Sequence, residues 1–164
     1  MADLRRIARV AAAALTLSAS ALVGVAVQED YRGTAYLPTK ADRPTLGFGA
    51  TAGVRLGDTT TPPRALVRLL GDVGQVEAAL HRPSCIGTVP LYQREWDAYV
   101  SLAYNIGAPA FCRSTLVRLL HHQPPDYAGA CKQILRWNLQ AGRVLPGLQR
   151  RRESEFKTCM GVTA

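Results

Sequence analysis

The stretch "EDYRGTAYLPTKADRPTLGFGAT", residues 29–51, decides how the chain folds. Two short β-prone runs, residues 32–37 and 45–49, flank the turn-rich "PTKADRP". Apolar and β-branched residues bounded by Pro, Asp and Gly are the pattern of a hairpin. Glu29, Asp30 and Asp42 fall at its entry and its tip. A lone two-stranded hairpin is marginal in water, so this one must lean on something else, and the rest of the chain supplies helices.

Downstream of the hairpin, Thr61 and Pro62 open a helical pattern carried by Leu66, Leu69, Leu70, Val73, Val76 and Leu80, weakened by Gly71 and Gly74. "LYQREWDAYVSLAYNIG" repeats the periodicity through Trp96, Tyr99, Val100 and Ala103, and Gly107 ends it. "STLVRLLHH" is a short helix stopped by Pro124 and Pro125. Another helix begins with Asp126 as N-cap, and a last one with Pro146 near its first position. One hairpin followed by about five helices is an α+β plan, with a cleft between hairpin and helices as the natural ligand site.

Upstream, Arg5, Arg6 and Arg9 precede an uncharged run from Val10 to Val27. A positive flank before an apolar run directs export with the basic end inside. As a helix the run would span about 27 Å, just enough for a bilayer core. Only seven of its residues are Leu or Val, and the rest are Ala, Ser, Thr and Gly. Such a composition makes a weak anchor. Two readings stay open: a signal peptide cleaved near "SASA", or an uncleaved segment that inserts and later escapes. Residues 1–28 are therefore assigned to a signal or anchor segment and residues 29–164 to the main domain.

The full chain has 164 residues and a net charge of +8, which favours anionic partners. The triple arginine in "LQRRRESEF" is followed at once by acids, as on a solvated helix face. No basic tail or zinc-finger spacing points to nucleic acid. Four cysteines, Cys85, Cys112, Cys131 and Cys159, form no CxxC pair, and in an exported chain they suggest disulfides. Three pairings are open, with Cys85–Cys112 and Cys131–Cys159 preferred. The sequence has no GxSxG, P-loop or HExxH motif, and His81, His121 and His122 read as surface residues rather than metal ligands. No cofactor or metal is expected. Carboxylates remain, and two of them across a groove suit glycosidic cleavage: one donates a proton to the leaving oxygen, the other serves a water or the sugar cation. On the residues alone, Glu29 and Asp30 are equally a helix-end acidic pair.

The opening stretch resembles the phage T4-type lysozymes, the endolysin family of glycoside hydrolases. Their pattern of Glu, then Ala-Tyr, an acidic turn and T-[IL]-G-x-G is met by Glu29, Ala35-Tyr36 and Thr45-Leu46-Gly47-Phe48-Gly49. "VPLYQREWDAYVSLAYNIGAPAF" resembles the family's central helix, and "RWNLQAGRVLPGLQRRRESEF" its C-terminal segment. The resemblance implies a lysozyme-like α+β fold. A small β-hairpin lobe packs on a mainly helical lobe, and here an N-terminal apolar helix precedes both. It implies hydrolysis of the β-1,4 bond between N-acetylmuramic acid and N-acetylglucosamine in peptidoglycan. Glu29 matches the general acid and Thr45 the threonine that helps hold the attacking water. The family's Asp falls at Pro38 or Thr39, so Asp42 is its candidate replacement from a longer turn. Tyr104, Asn105 and Gly107 match the sugar-binding stretch, with a helix C-cap as the competing role for Asn105. The N-terminal run is similar to that of signal-arrest-release endolysins, which implies a tethered inactive form at the host inner membrane and then release to the periplasm. Expected partners are peptidoglycan and the inner membrane, with no nucleic acid and a monomeric state. Two alternatives remain: a lytic transglycosylase acting on the same bond with Glu29 alone, and a non-catalytic cationic protein that binds peptidoglycan or disrupts membranes.

Overall fold

The computed structural model describes residues 8–39 and 42–162. In chain order the elements are β1 (Val10–Ala11), a 3-10 turn (Ala12–Ala14), α1 (Ala19–Gln28), β2 (Arg32–Tyr36), β3 (Thr45–Gly47), α2 (Pro62–Leu80), β4 (Pro90–Leu91), α3 (Gln93–Ile106), α4 (Ala108–Cys112), α5 (Thr115–Leu120), α6 (Tyr127–Gln133), a 3-10 turn (Ile134–Arg136), β5 (Leu139–Gln140), β6 (Arg143–Val144) and α7 (Pro146–Met160). The α+β plan holds. Two compact units emerge, one of residues 19–75 and one that joins the chain up to Ser18 with everything from Val76 onward.

The smaller unit is built on the expected hairpin. β2 and β3 pair antiparallel, Arg32 opposite Gly47 and Tyr36 opposite Thr45, with a bulge between. The second strand is shorter than its sequence pattern because the chain turns back at Phe48 and Gly49. Leu46 and Ala50 exchange both backbone bonds, at 2.9 and 3.0 Å. Residues 58–60, which carry no strand pattern, cover the outer edge of β2: the Ala35 N–H donates to Asp58 O and the Thr60 N–H to Gly33 O, both at 2.9 Å. Ala35, Leu46 and Val54 form the small core of this lobe. Gly47 adopts φ +66°, and a Cβ there would stand 2.9 Å from the Ala65 methyl of α2. Only glycine permits both that backbone and that approach.

α2 is one unbroken helix despite Gly71 and Gly74. Each glycine costs about 1 kcal/mol relative to Ala, and burial of Ala65, Leu69, Val73 and Leu80 along one face offsets it. Leu66 and Leu70, expected in that face, are instead 40% and 56% exposed.

In the larger unit, α3 and α7 share the most extensive helix pair. Trp96, Tyr99, Leu102, Phe111, Leu116, Leu120 and Ile134 are fully buried there. Asp126 caps α6 by accepting from the Gly129 N–H at 2.8 Å. Both preferred disulfides are present, Cys85–Cys112 and Cys131–Cys159.

Three expectations are corrected. First, the apolar run is not a single helix. Among the described residues no helix is long and apolar enough to cross a membrane. The run is divided into β1, a 3-10 turn, a piece without regular structure at residues 15–18 and α1. Between residues 12 and 18 several of its backbone N–H groups bond to the body. Ala12 N–H donates to Val89 O at 2.9 Å, and Ala13 N–H to Gly87 O at 3.0 Å. Leu17 N–H donates to Glu77 at 2.5 Å and Ser18 N–H to Asp97 at 2.9 Å. Second, the triple arginine is not a solvated face. Arg151 and Arg152 are 6% and 0% exposed. Arg152 pairs with buried Glu155 at 2.9 Å, Arg151 with the same carboxylate at 3.3 Å, and Ser101 of α3 donates to it at 2.7 Å. Third, His81 is half-buried rather than a plain surface residue, while His121 is exposed as expected; both have partners in the fold. His81 stacks on Trp96, ring centroids 4.7 Å apart, with Nε2 at 2.9 Å from Leu15 O, and His121 Nε2 lies 2.5 Å from Cys85 O.

Candidate active site

The last turn of α1 delivers Glu29. Its N–H bonds to the carbonyls of Val25 and Ala26 at 3.2 and 3.3 Å, so its backbone is fixed by the helix that ends there. The next residue breaks the helix: Asp30 takes φ +43°, a left-handed conformation that Asp tolerates better than most residues. The two neighbouring carboxylates therefore part company. Asp30 turns to solvent and pairs with Arg32 at 3.2 Å. Glu29 is half-buried and its Oε2 reaches the Phe48–Gly49 turn, 3.4 Å from where a Cβ on Gly49 would stand. Gly49 itself has φ +85°. Tyr31 pins the strand that follows, its hydroxyl donating to Thr60 O at 2.9 Å and its ring 5.4 Å from that of Phe48.

Thr45 lies at the start of β3 and is 8% exposed. Its hydroxyl donates to Arg43 O at 3.1 Å. With that proton committed, the oxygen presents lone pairs, and a water beside it would be held by one of its own hydrogens. Asp42 is exposed in the turn, its N–H on Thr39 O at 3.1 Å. Glu29, Asp42 and Thr45 thus share the smaller unit, with Glu29 meeting the turn just past β3.

Tyr104, Asn105 and Gly107 belong to the larger unit, at the end of α3. Tyr104 is half-buried and Asn105 exposed. Gly107 has a structural duty of its own: at φ +89° it caps α3 through its N–H on Ala103 O at 2.9 Å, and its carbonyl accepts from Ala110 and Phe111 at the start of α4.

Residues 26–155 match the family model described as phage lysozyme. The chain belongs to the phage lysozyme family. It is 38% identical over 143 residues to the endolysin of Acyrthosiphon pisum secondary endosymbiont phage 1, covering 85% of this chain and 94% of that one. It is 30% identical over 156 residues to the SAR-endolysin of Enterobacteria phage P21, covering 93% and 92%. Among solved structures, the endolysin from Escherichia coli O157:H7 phage FAHEc1 superposes with a TM-score of 0.77 at 29% identity, over 92% of this chain and 96% of that one. The lysozyme fold and a glycoside hydrolase activity on peptidoglycan follow from this membership. The fold also brings in lysozyme residues that the motif did not single out for the site. Gly49 opens the space beside the Glu29 carboxylate, and Tyr31 and Thr60 hold the strand next to it. The sequence pattern placed Gly49 in the second strand run, and its nearness to Glu29 was not legible there.

Proposed function

We propose that this phage lysozyme is an endolysin in which Glu29 protonates the leaving oxygen of the N-acetylmuramic acid–N-acetylglucosamine β-1,4 bond. Asp42 and Thr45 place the attacking water, and Tyr104, Asn105 and Gly107 bind the sugars. The observation that carries the assignment is the position of Glu29: fixed by the end of α1, half-buried, and facing a turn kept clear by Gly49. A carboxyl whose backbone is held in place beside a turn with no side chain at Gly49 suits general acid catalysis. Mass analysis of muropeptides released by the purified chain tests the reading. Products ending in a reducing sugar are expected. A 1,6-anhydro end would make the chain a transglycosylase, and binding without cleavage would make it a non-catalytic wall binder. The chain acts as a monomer in this reading.

Residues 1–28 are proposed as a membrane tether that keeps the enzyme inactive until it leaves the bilayer uncleaved. Support comes from the weakly apolar composition of the run and from the likeness to the SAR-endolysin of phage P21. Electrostatics supplies a trigger. Arg5, Arg6 and Arg9 start on the inner, negative side and must cross outward on release. Moving each charge against the potential costs roughly 2.3 kcal/mol per 100 mV, about 7 kcal/mol for three, and depolarisation removes that cost. Following the N-terminus in cells tests the tether. Full-length membrane protein that becomes soluble and uncleaved after depolarisation is the expected result. A chain beginning near Ala21 and already active would refute it.

A further inference from the structure

Arg9 occupies a site in the body that is built for a guanidinium. Its Nη2 donates to Glu95 Oε1 at 2.8 Å and its Nε to Oε2 at 3.2 Å, the two-pronged geometry that favours Arg over Lys. Two rings flank it, Tyr127 at 3.6 Å and Tyr92 at 4.2 Å from the guanidinium carbon, both within cation–π range. The Glu95 side chain is only 3% exposed. That carboxylate also accepts the Tyr92 N–H at 2.8 Å, closing the first turn of α3. The Glu95 hydrogen bond is the largest influence holding the Arg9 guanidinium above its ordinary pKa.

Two more carboxylates receive the residues that follow. Asp97 takes both the backbone N–H and the hydroxyl of Ser18, at 2.9 and 2.7 Å. Glu77 takes the Leu17 N–H together with the indole N–H of Trp96 at 3.1 Å. Gln93 donates to Thr16 O at 2.8 Å. Every one of these contacts involves an extended or turned backbone at residues 9–18. A membrane-spanning helix over the same run would use those N–H groups internally. It would also hold Arg9 about 27 Å along the axis from the end near Glu29, across the bilayer from the body. The docked and spanning states exclude one another.

We propose that Tyr92, Glu95 and Tyr127 form a receptor site for Arg9 that, with the carboxylates of Glu77 and Asp97, captures residues 9–18 once they leave the bilayer and holds them on the catalytic body. This rests on the release reading above. Arg9 then has two successive roles: the inner flank of the tether and the catch of the released form. Without it, Glu95 is a buried carboxylate that has lost its cation, which penalises the folded body.

Body variants test the catch without altering the tether. Glu95→Gln and Tyr127→Leu leave residues 1–28 unchanged, so insertion should match wild type. In the purified uncleaved chain, the rate of proteolytic cutting within residues 9–18 should rise on the order of tenfold to a hundredfold for either variant, and the soluble fraction after depolarisation should fall. Arg9→Lys should lie between wild type and Arg9→Gln. Cutting rates within twofold of wild type in both body variants would overturn the catch, whatever the release assay gives. If the wild-type chain in cells proves to be cut near Ala21, the release reading fails and the capture step with it. Uncleaved wild-type release together with unprotected residues 9–18 would overturn the catch alone.

Discussion

Gly49 offers the most discriminating test of Glu29, because a second glycine serves as its control. Gly49 has φ +85°, and an added Cβ would stand 3.4 Å from Glu29 Oε2. Gly53 has φ +67°, and an added Cβ there meets nothing within 4 Å. Alanine in a left-handed conformation costs roughly 1–2 kcal/mol at either position, which corresponds to about 2–8 °C in Tm for a chain of this size. The stability losses should therefore be similar. The activities should differ. A general acid must come within about 2.6–3.2 Å of the oxygen it protonates, and a methyl group 3.4 Å from Oε2 takes up space beside that atom. Gly49→Ala should lose on the order of a hundredfold in wall cleavage, as expected for a misplaced catalytic group, while Gly53→Ala should stay within a few-fold of wild type. Initial rates of turbidity loss on purified peptidoglycan, measured well below both melting points, separate the two effects. Equal activity in the two variants at equal stability would show that the space beside Oε2 is not used in the reaction.

Glu29→Gln should reduce muropeptide release by about 10²–10⁴-fold with an unchanged Tm. Asp42→Asn and Thr45→Ala should each lower the rate strongly while Asp30→Asn, whose carboxylate is exposed and paired with Arg32, should not; a crystal structure with bound glycan that places Asp42 far from Glu29 would remove it from the mechanism. Reduction should destabilise the protein in urea titrations, because loops spanning 27 and 28 residues are closed by the two disulfides, each contributing roughly 3–4 kcal/mol in the chain-entropy model. Burial is the largest influence on Glu155 and raises its pKa above 4.5. Between about pH 4.5 and the raised value, the folded protein holds more of that proton than the unfolded chain does. Measured against Glu155→Gln, wild-type stability should fall as pH rises from about 4.5 through the raised folded value, and parallel stability curves for the two proteins would contradict this.

Local signals in the sequence carried the fold far. The hairpin was legible because strand patterns and turn residues sit side by side, and α2, α6 and α7 because Pro62, Asp126 and Pro146 mark their starts. Long-range pairing was not legible. Nothing within a few residues of Arg151 and Arg152 shows that Ser101 waits on another helix, so three arginines beside acids read as surface. The arrangement of the apolar run from Val10 to Val27 was hidden for the same reason: the carboxylates of Glu77 and Asp97, far along the chain, take backbone donors that a helix would keep. At the site, Glu29 and Thr45 stood out through their motif. The separation of Glu29 from Asp30 depends on a single backbone reversal at φ +43°, which no residue pattern announced.

The larger unit is drawn from both ends of the chain, with residues 19–75 interposed. That arrangement sets an order of events during synthesis. The interposed unit is sequence-local and has all its parts as soon as residue 75 is available. The larger one has to wait for α7, which supplies the main partner of α3 and the second half-cystine of Cys131–Cys159. Closing such distant contacts is slow relative to forming local ones. A chain threaded across a membrane from its N-terminus would therefore deliver its first residues long before the surface that receives them exists. Chain connectivity alone therefore delays that assembly until synthesis is nearly complete.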